Sequence, residues 1–285
     1  MDKLQKLPGL RRNQHATEDA LLYWYLLVQP GQHPAGRRLS VPAPRPLAAV
    51  LQDVARLLPA LHGRIAALPA AQPGLSAALL QYWRQQQTAA GPHYWAARSW
   101  SMLIWQPAYL SVLAVHTSHA AVQLHGLQQD VHHGNTAGFS LPMHQPATGD
   151  EPQLIALAAA QLLAYQQQHL PLLQAGQAYS GYLASCMTVD CVLSALQMAA
   201  QDAGWCPQRQ QQLAASWLQA LQLTRHGNLM QVAVAPGQCR TALARKGCCQ
   251  HFRLSGAEAC CDCPRWPMPE RLQRIRQQWQ LAANP

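Results

Sequence analysis

Apolar residues recur along most of the chain at the three-to-four-residue spacing of amphipathic helices. That spacing predicts helices over Ala16–Val28, with Thr17 as N-cap, over Leu47–Leu58, and over Leu75–Ala89, where Pro73 and Gly74 mark the start. The run from Pro92 to Ala120 predicts two helices parted near Pro107, because proline removes a helical N–H and crowds the preceding turn. Glu151–Gln174, Tyr179–Ala200 and Pro207–Leu221 repeat the helical period, and a shorter helix is expected at Pro269–Gln280. Two stretches break the rhythm. Residues 121–141 alternate apolar and polar positions at Val122, Leu124 and Leu127, then pass through "HHGN", whose Gly and Asn tolerate positive φ, so a β-hairpin is expected there. "NLMQVAVAP", from Asn228 to Pro236, reads as another short strand, and Gln29–Pro46 as an extended, exposed connector rich in Pro and Gly. No internal repeat is present. The pattern predicts an α+β protein, predominantly α-helical. Residues 1–236 form a helical body carrying a small antiparallel hairpin or sheet. Residues 237–285 form a C-terminal Cys-rich loop module, where Cys, Arg and Gly displace the apolar period.

Composition narrows the function classes. A chain of 285 residues with 49% apolar content can bury a substantial core. Charged residues are only 12%, against about 25% in ordinary globular domains, and Gln, Ala and Leu take their place. The high apolar content argues against disorder. The net charge of +9 suits anionic partners, but no Lys/Arg run of five occurs, so no nucleic-acid partner is expected. The first twenty residues lack the apolar stretch of a secretory signal, and no uninterrupted apolar run is long enough for a transmembrane segment. The expectation is a cytoplasmic protein, or one peripheral to the inner membrane. Thiols stay reduced there, and clustered cysteines point to metal or redox chemistry.

Cys248, Cys249, Cys260 and Cys263 are spaced C-C-x10-C-x2-C. Two residues between thiols let a tight turn aim both sulfurs at one ion. Gly247 and Gly256 supply backbone freedom, and Pro264 closes the segment. Four thiolates accommodate structural Zn²⁺ or an iron–sulfur cluster, and thiol redox chemistry is a further reading. Zinc sites more often use two separate knuckles, to which adjacent cysteines are ill suited.

This segment resembles the C-terminal signature of the siderophore-iron reductase, or FhuF-like, family. The likeness lies in the four cysteines, the basic Arg245 and Lys246 before them and Pro264 after. It implies a [2Fe–2S] cluster on Cys248, Cys249, Cys260 and Cys263, and one-electron reduction of a ferric siderophore to release Fe(II). Cys261 departs from the pattern, since it forms a rival C-x-C with Cys263; Cys260 is preferred because it keeps the family's C-x2-C.

The implied chemistry is coherent. Oxygen ligands hold Fe³⁺ far better than Fe²⁺, so one electron loosens the metal. A [2Fe–2S] centre on four thiolates is a suitable donor, plant-type centres lying near about −400 mV. Arg245, Lys246, Arg253 and Arg265 would raise that potential or form a rim for docking an acidic electron carrier. No G-x-G-x-x-G or P-loop occurs, so electrons are expected from an external donor such as a ferredoxin, a flavodoxin or a reductase. The ligand cleft is expected between body and module. Among the histidines, His132 and His133 at the hairpin turn are favoured for substrate contact, because loops carry binding more often than core helices; His116 and His119 read as core or surface groups. Cys186 and Cys191 read as buried apolar residues, Cys206 as a helix-start residue, and Cys239 as a reserve ligand. Trp83, Trp95, Trp100 and Trp105 read as core. Two alternatives stand beside the reductase: a non-enzymatic iron–sulfur sensor or interaction protein, and a structural zinc module on a siderophore-binding body.

Overall fold

The computed structural model describes residues 45–67 and 74–283. The expected Ala16–Val28 helix, nearly all of the Gln29–Pro46 connector and the start signal at Pro73 lie outside those residues. Among the described residues the chain is mainly helical: α1 (Leu47–Leu57), α2 (Leu75–Gln86), α3 (Gly91–Ser118), α4 (Glu151–Gly176), α5 (Gly181–Ala203), α6 (Pro207–Ala220) and α7 (Met268–Ala283). Two small sheets complete the α+β architecture. One orders its strands β1 (Gly63–Ala66), β3 (Asn135–Pro142), β2 (Gln128–His132); the other pairs β4 (Leu229–Ala235) with β5 (Gln238–Leu243).

Helix α3 organises the core. Every residue from Ala96 to Val115 is buried, because α1, α2, α4 and α5 pack around it. The two helices expected on either side of Pro107 are therefore one. An internal proline costs about 3 kcal/mol, and a helix apolar on all sides recovers more than that by burial. Tertiary packing overrides the local breaker.

The hairpin expected over residues 121–141 is present but shorter. Strands β2 and β3 pair antiparallel around the His132–Asn135 turn. Val122 and Leu124 are buried without belonging to a strand, and Ala121 makes an isolated bridge to Ala147 instead. Their alternation reflects a loop laid against the core. Strand β1, which runs parallel to β3, and strand β5 carry too few apolar residues to be read from the sequence. Gln129 of β2 ties this sheet to the helices. Its amide donates to the Met102 carbonyl at 3.0 Å and to Gln106 Oε1 at 2.8 Å, and its oxygen accepts from the Tyr165 hydroxyl at 2.9 Å. The β4–β5 hairpin straddles the expected boundary between residues 236 and 237, with Gly237 at φ +73° in its turn. The chain leaves β5 directly into the cysteine loop.

By length and composition α5 would cross a membrane, yet 83% of its apolar window is buried inside the protein.

Asp150 and Gln153 form a reciprocal capping box at the start of α4, and Ser180 accepts from the Leu183 N–H at the start of α5. His116, at the end of α3, accepts from Trp217 Nε1 at 2.9 Å through Nε2 and faces Glu151 through Nδ1 at 3.5 Å. Burial lowers its pKa, against the opposing pull of Glu151. The unfolded imidazole protonates near about pH 6.5 and the folded one at lower pH. Stability linked to His116 is thus complete above that value and is lost as the pH falls below it. Urea midpoints followed by far-UV circular dichroism should drop between pH 7.5 and 5.5, and less steeply in His116→Gln, which retains an acceptor for Trp217.

Candidate metal centre

The cysteine loop is held in place from below. Helix α5 approaches it so closely that a Cβ on Gly247 would lie 2.6 Å from Cys186 Cβ and 2.9 Å from Leu183 Cδ1. On α7, the buried Arg271 donates to the Arg245 carbonyl at 3.1 Å, and Lys246 Nζ donates to the Arg225 carbonyl at 2.8 Å. Leu254, at the far end of the loop, packs with Trp83 and Tyr94. The C-terminal knuckle is a pair of successive turns, Cys263 N–H to the Cys260 carbonyl and Trp266 N–H to the Cys263 carbonyl, both 3.1 Å. Trp266 Nε1 closes it onto the Cys260 carbonyl at 2.9 Å.

These constraints bring the four sequence-predicted cysteines together as two close sulfur pairs. Cys249 and Cys260 stand 3.8 Å apart, and Cys248 and Cys263 stand 4.0 Å apart. Two thiolates on one tetrahedral metal with bonds of about 2.3 Å are about 3.8 Å apart, so each pair suits one metal. Among the described residues, no three His, Cys, Asp or Glu side chains converge for a single ion. Two pairs fit a two-metal cluster better than one zinc. Each knuckle cysteine thus faces a vicinal one, Cys260 beside Cys249 and Cys263 beside Cys248. Cys261, the rival ligand, packs with Val232, Ala242 and Ile275 under β4, β5 and α7.

The surroundings suit an anionic group. Arg245 is buried, with Nε 2.8 Å from Asp190 on α5, Nη1 3.3 Å from Asp262 and the same nitrogen 3.9 Å from Cys260 Sγ. Burial would lower its pKa, but Asp190 and Asp262 hold it well above the ordinary arginine value. Asp190 moves to about 7, because burial raises it against the pull of Arg245. The hydrogen bond from Cys260, then Arg245, hold the Cys249 thiol well below its ordinary pKa. Burial raises Cys248 to about 11. Arg271 brings a second buried guanidinium, whose Nε has no hydrogen-bond partner. An anionic cluster would add to a site in which Arg245 already has two carboxylate partners.

Residues 245–265 match the model of the FhuF 2Fe-2S C-terminal domain. The cysteine segment is similar to that domain. The match and the clustered cysteines support a [2Fe–2S] cofactor and a FhuF-like assignment.

A cleft of about 460 Å³ opens beside the cysteine loop, between it and the helical body. Cys249, Cys260 and Arg245 line it from the cysteine loop; Asp190, Gln197 and Gln201 of α5, Gln210 of α6 and Trp279 of α7 line it as well. Of the residues expected to dock substrate or donor, Arg245 reaches the cleft, but as a buried, ion-paired group. Lys246, Arg253 and Arg265 are exposed on the module outside the cleft, with the guanidinium of Arg265 3.9 Å from the Phe252 ring centroid and that of Arg253 5.7 Å away. His132 and His133 stand exposed on the β2–β3 turn, and neither lines the cleft. Cys239, the reserve ligand, is exposed on β5 at the cleft wall. Cys186 and Cys191 are buried and Cys206 precedes α6, as their surroundings in the sequence imply. The sequence reading passed over Asp190 and the glutamines of α5 and α6. The one available signal was Asp190 itself, a carboxylate inside the apolar run "CMTVDCVL".

Gly247→Ala should cost most of the cluster. The added methyl meets the Cβ of Cys186, fixed to the α5 backbone, so the loop must shift. The ratio of visible absorbance to protein should fall several-fold, while far-UV circular dichroism stays at the wild-type value.

Proposed function

We propose that this protein is a siderophore-iron reductase that converts Fe(III) in an oxygen-ligand chelate to Fe(II). One observation carries the reading: the cleft between body and module is lined by Cys249 and Cys260. A chelate seated there would lie beside two of the sulfur ligands. Cys248, Cys249, Cys260 and Cys263 hold the cofactor. When bound, a [2Fe–2S] centre on four thiolates supplies a single low-potential electron.

The protein's own residues do the rest. The cleft walls are stiffened by a bridge across three elements: Gln197 Nε2 donates to the Thr241 carbonyl at 2.8 Å, and Thr241 Oγ1 donates to Gln210 Oε1 at 2.5 Å. A rigid wall keeps the chelate in one place relative to the sulfurs. The Arg245 guanidinium lies beside Cys260 at the cleft and favours additional negative charge there. On the outer surface of the module, Arg253 and Arg265 flank Phe252 as a cationic face for an acidic one-electron carrier. The chain carries no nucleotide-binding signature, so this donor is a separate protein or reductase.

The deciding experiment is anaerobic. Protein reduced with dithionite and freed of excess reductant should reoxidise on adding a ferric siderophore, with Fe(II) appearing in a ferrozine assay in equal amount to the electrons lost. Chelate that stays ferric while the cluster reoxidises only with oxygen would sink the reductase reading and leave the sensor. A colourless protein carrying one equivalent of zinc would favour the structural zinc module. Cys249→Ala and Cys260→Ala should abolish colour and activity together, and Cys261→Ala should keep both. Gln201→Trp narrows the cleft from an exposed wall position. It should weaken chelate binding about tenfold, roughly 1.4 kcal/mol, and leave the visible and EPR spectra unchanged.

A further inference from the structure

We propose that the four thiolates are divided as nested pairs, Cys249 with Cys260 on one iron and Cys248 with Cys263 on the other, and that the iron of the first pair is the one presented to the cleft. This deepens the reading of the site and rests on its four cysteine ligands; the spacing of the motif names those ligands without pairing them.

Three independent features carry the pairing. The separations of 3.8 and 4.0 Å match two thiolates sharing one tetrahedral metal, about 3.8 Å at bonds of about 2.3 Å. The chain also turns sharply after the vicinal cysteines. Gln250 adopts a left-handed conformation at φ +62°, and its N–H points back to Cys248 Sγ at 3.4 Å. Cys249 meanwhile packs against the main helical core. The vicinal thiols thus have different surroundings and belong to different metals. In the knuckle, Cys260 lies beside the Arg245 guanidinium at 3.9 Å, whereas Cys263 is buried with 2% of its surface exposed. Those two also stand in different environments, each beside one vicinal partner.

The orientation follows from the cleft. Cys249 and Cys260 line it; Cys248 and Cys263 do not. Arg245 lies on the same side as the lining pair. The two metal positions are therefore inequivalent, one beside a buried guanidinium and the cleft, the other beside the Gln250 N–H. Arg245 is a positioning residue: it acts on the cleft-side pair through Cys260 and does not itself hold the metal.

Mössbauer spectroscopy on ⁵⁷Fe-reconstituted protein tests this without an activity assay, since serine ligates iron through oxygen and shifts the doublet of the iron it binds. In the oxidised state, Cys249→Ser/Cys260→Ser should leave one doublet as in wild type and displace the other strongly. Cys248→Ser/Cys249→Ser should displace both by similar amounts. The opposite assignment, with the vicinal double variant leaving one doublet untouched, would overturn the nested pairing. If the double variants assemble no cluster, the single serine variants answer the same question in the reduced state, where one iron is ferrous and one ferric. Cys249→Ser and Cys260→Ser should move one doublet, and Cys248→Ser and Cys263→Ser the other; Cys248→Ser and Cys249→Ser moving the same doublet overturns the proposal. Arg245→Gln keeps all four thiolates and should shift the doublet assigned to Cys249 and Cys260, with Arg245→Lys close to wild type. A shift confined to the other doublet would overturn the orientation. Siderophore plays no part in these spectra. A chain with nested pairs that leaves chelated iron ferric would lose the reductase function and keep the pairing.

Discussion

The ion pair between Arg245 and Asp190 links the cysteine loop to the helical body, and the placement of the site depends on it. Its partners lie on the loop and in the middle of α5, and both are buried, at 9% and 2% side-chain exposure. A buried pair of this kind adds little net stability, because desolvation consumes most of the Coulombic gain. Its asymmetry matters more. Removing either partner strands a charge in the interior, at a cost of about 3–5 kcal/mol. The loop consequently has one low-energy position on α5, and other ways of laying it down are penalised. The same guanidinium then reaches Asp262 and Cys260, so the interaction that seats the loop also sets the charge beside one sulfur pair.

A cysteine loop of this size has too little apolar surface to fold by itself, and small modules commonly draw stability from a metal. Here the body supplies much of the framework. Gly247 rests on α5, Arg271 of α7 grips the Arg245 carbonyl, and Leu254 is inserted beside Trp83 and Tyr94. These contacts come from three separate parts of the chain and bring two sulfur pairs within reach of a cluster. Loading the cluster would tie the four thiolates to metal and relieve the repulsion between them. Cofactor and body therefore stabilise one another, and the module is structurally continuous with the β4–β5 hairpin that leads into it.

Function follows from where that docking leaves an opening. Helices α5, α6 and α7 meet the loop imperfectly, and the remaining space is the cleft onto Cys249 and Cys260. Its walls mix apolar side chains with the amides of Gln197, Gln201, Gln210 and Gln278; of its charged groups Arg245, Asp190 and Asp262 are ion-paired, and Arg240 lies over the Trp279 ring. Outside the cleft the module exposes Arg253 and Arg265 around Phe252. On the proposed reading, the cleft takes the chelate and this cationic face the electron carrier.

Much of this was legible in local sequence. The helical period located α1, α2, α4, α5 and α6 within a few residues, because amphipathic spacing is a property of neighbouring residues. The cysteine spacing and its basic and proline flanks pointed to the cluster for the same reason. Long-range packing decided the rest. Pro107 sits inside an unbroken α3 because burial on every side outweighs one lost hydrogen bond. Strands β1 and β5 exist because β3 and β4 offer them edges, which no periodicity within "GRIA" or "QCRTAL" reveals. Asp190, fifty-five residues before Arg245 in the chain, and the partner of each sulfur became known only in three dimensions. Spacing along a chain limits which atoms can meet, whereas the partner each atom takes is set by the contacts that seat the loop on the body.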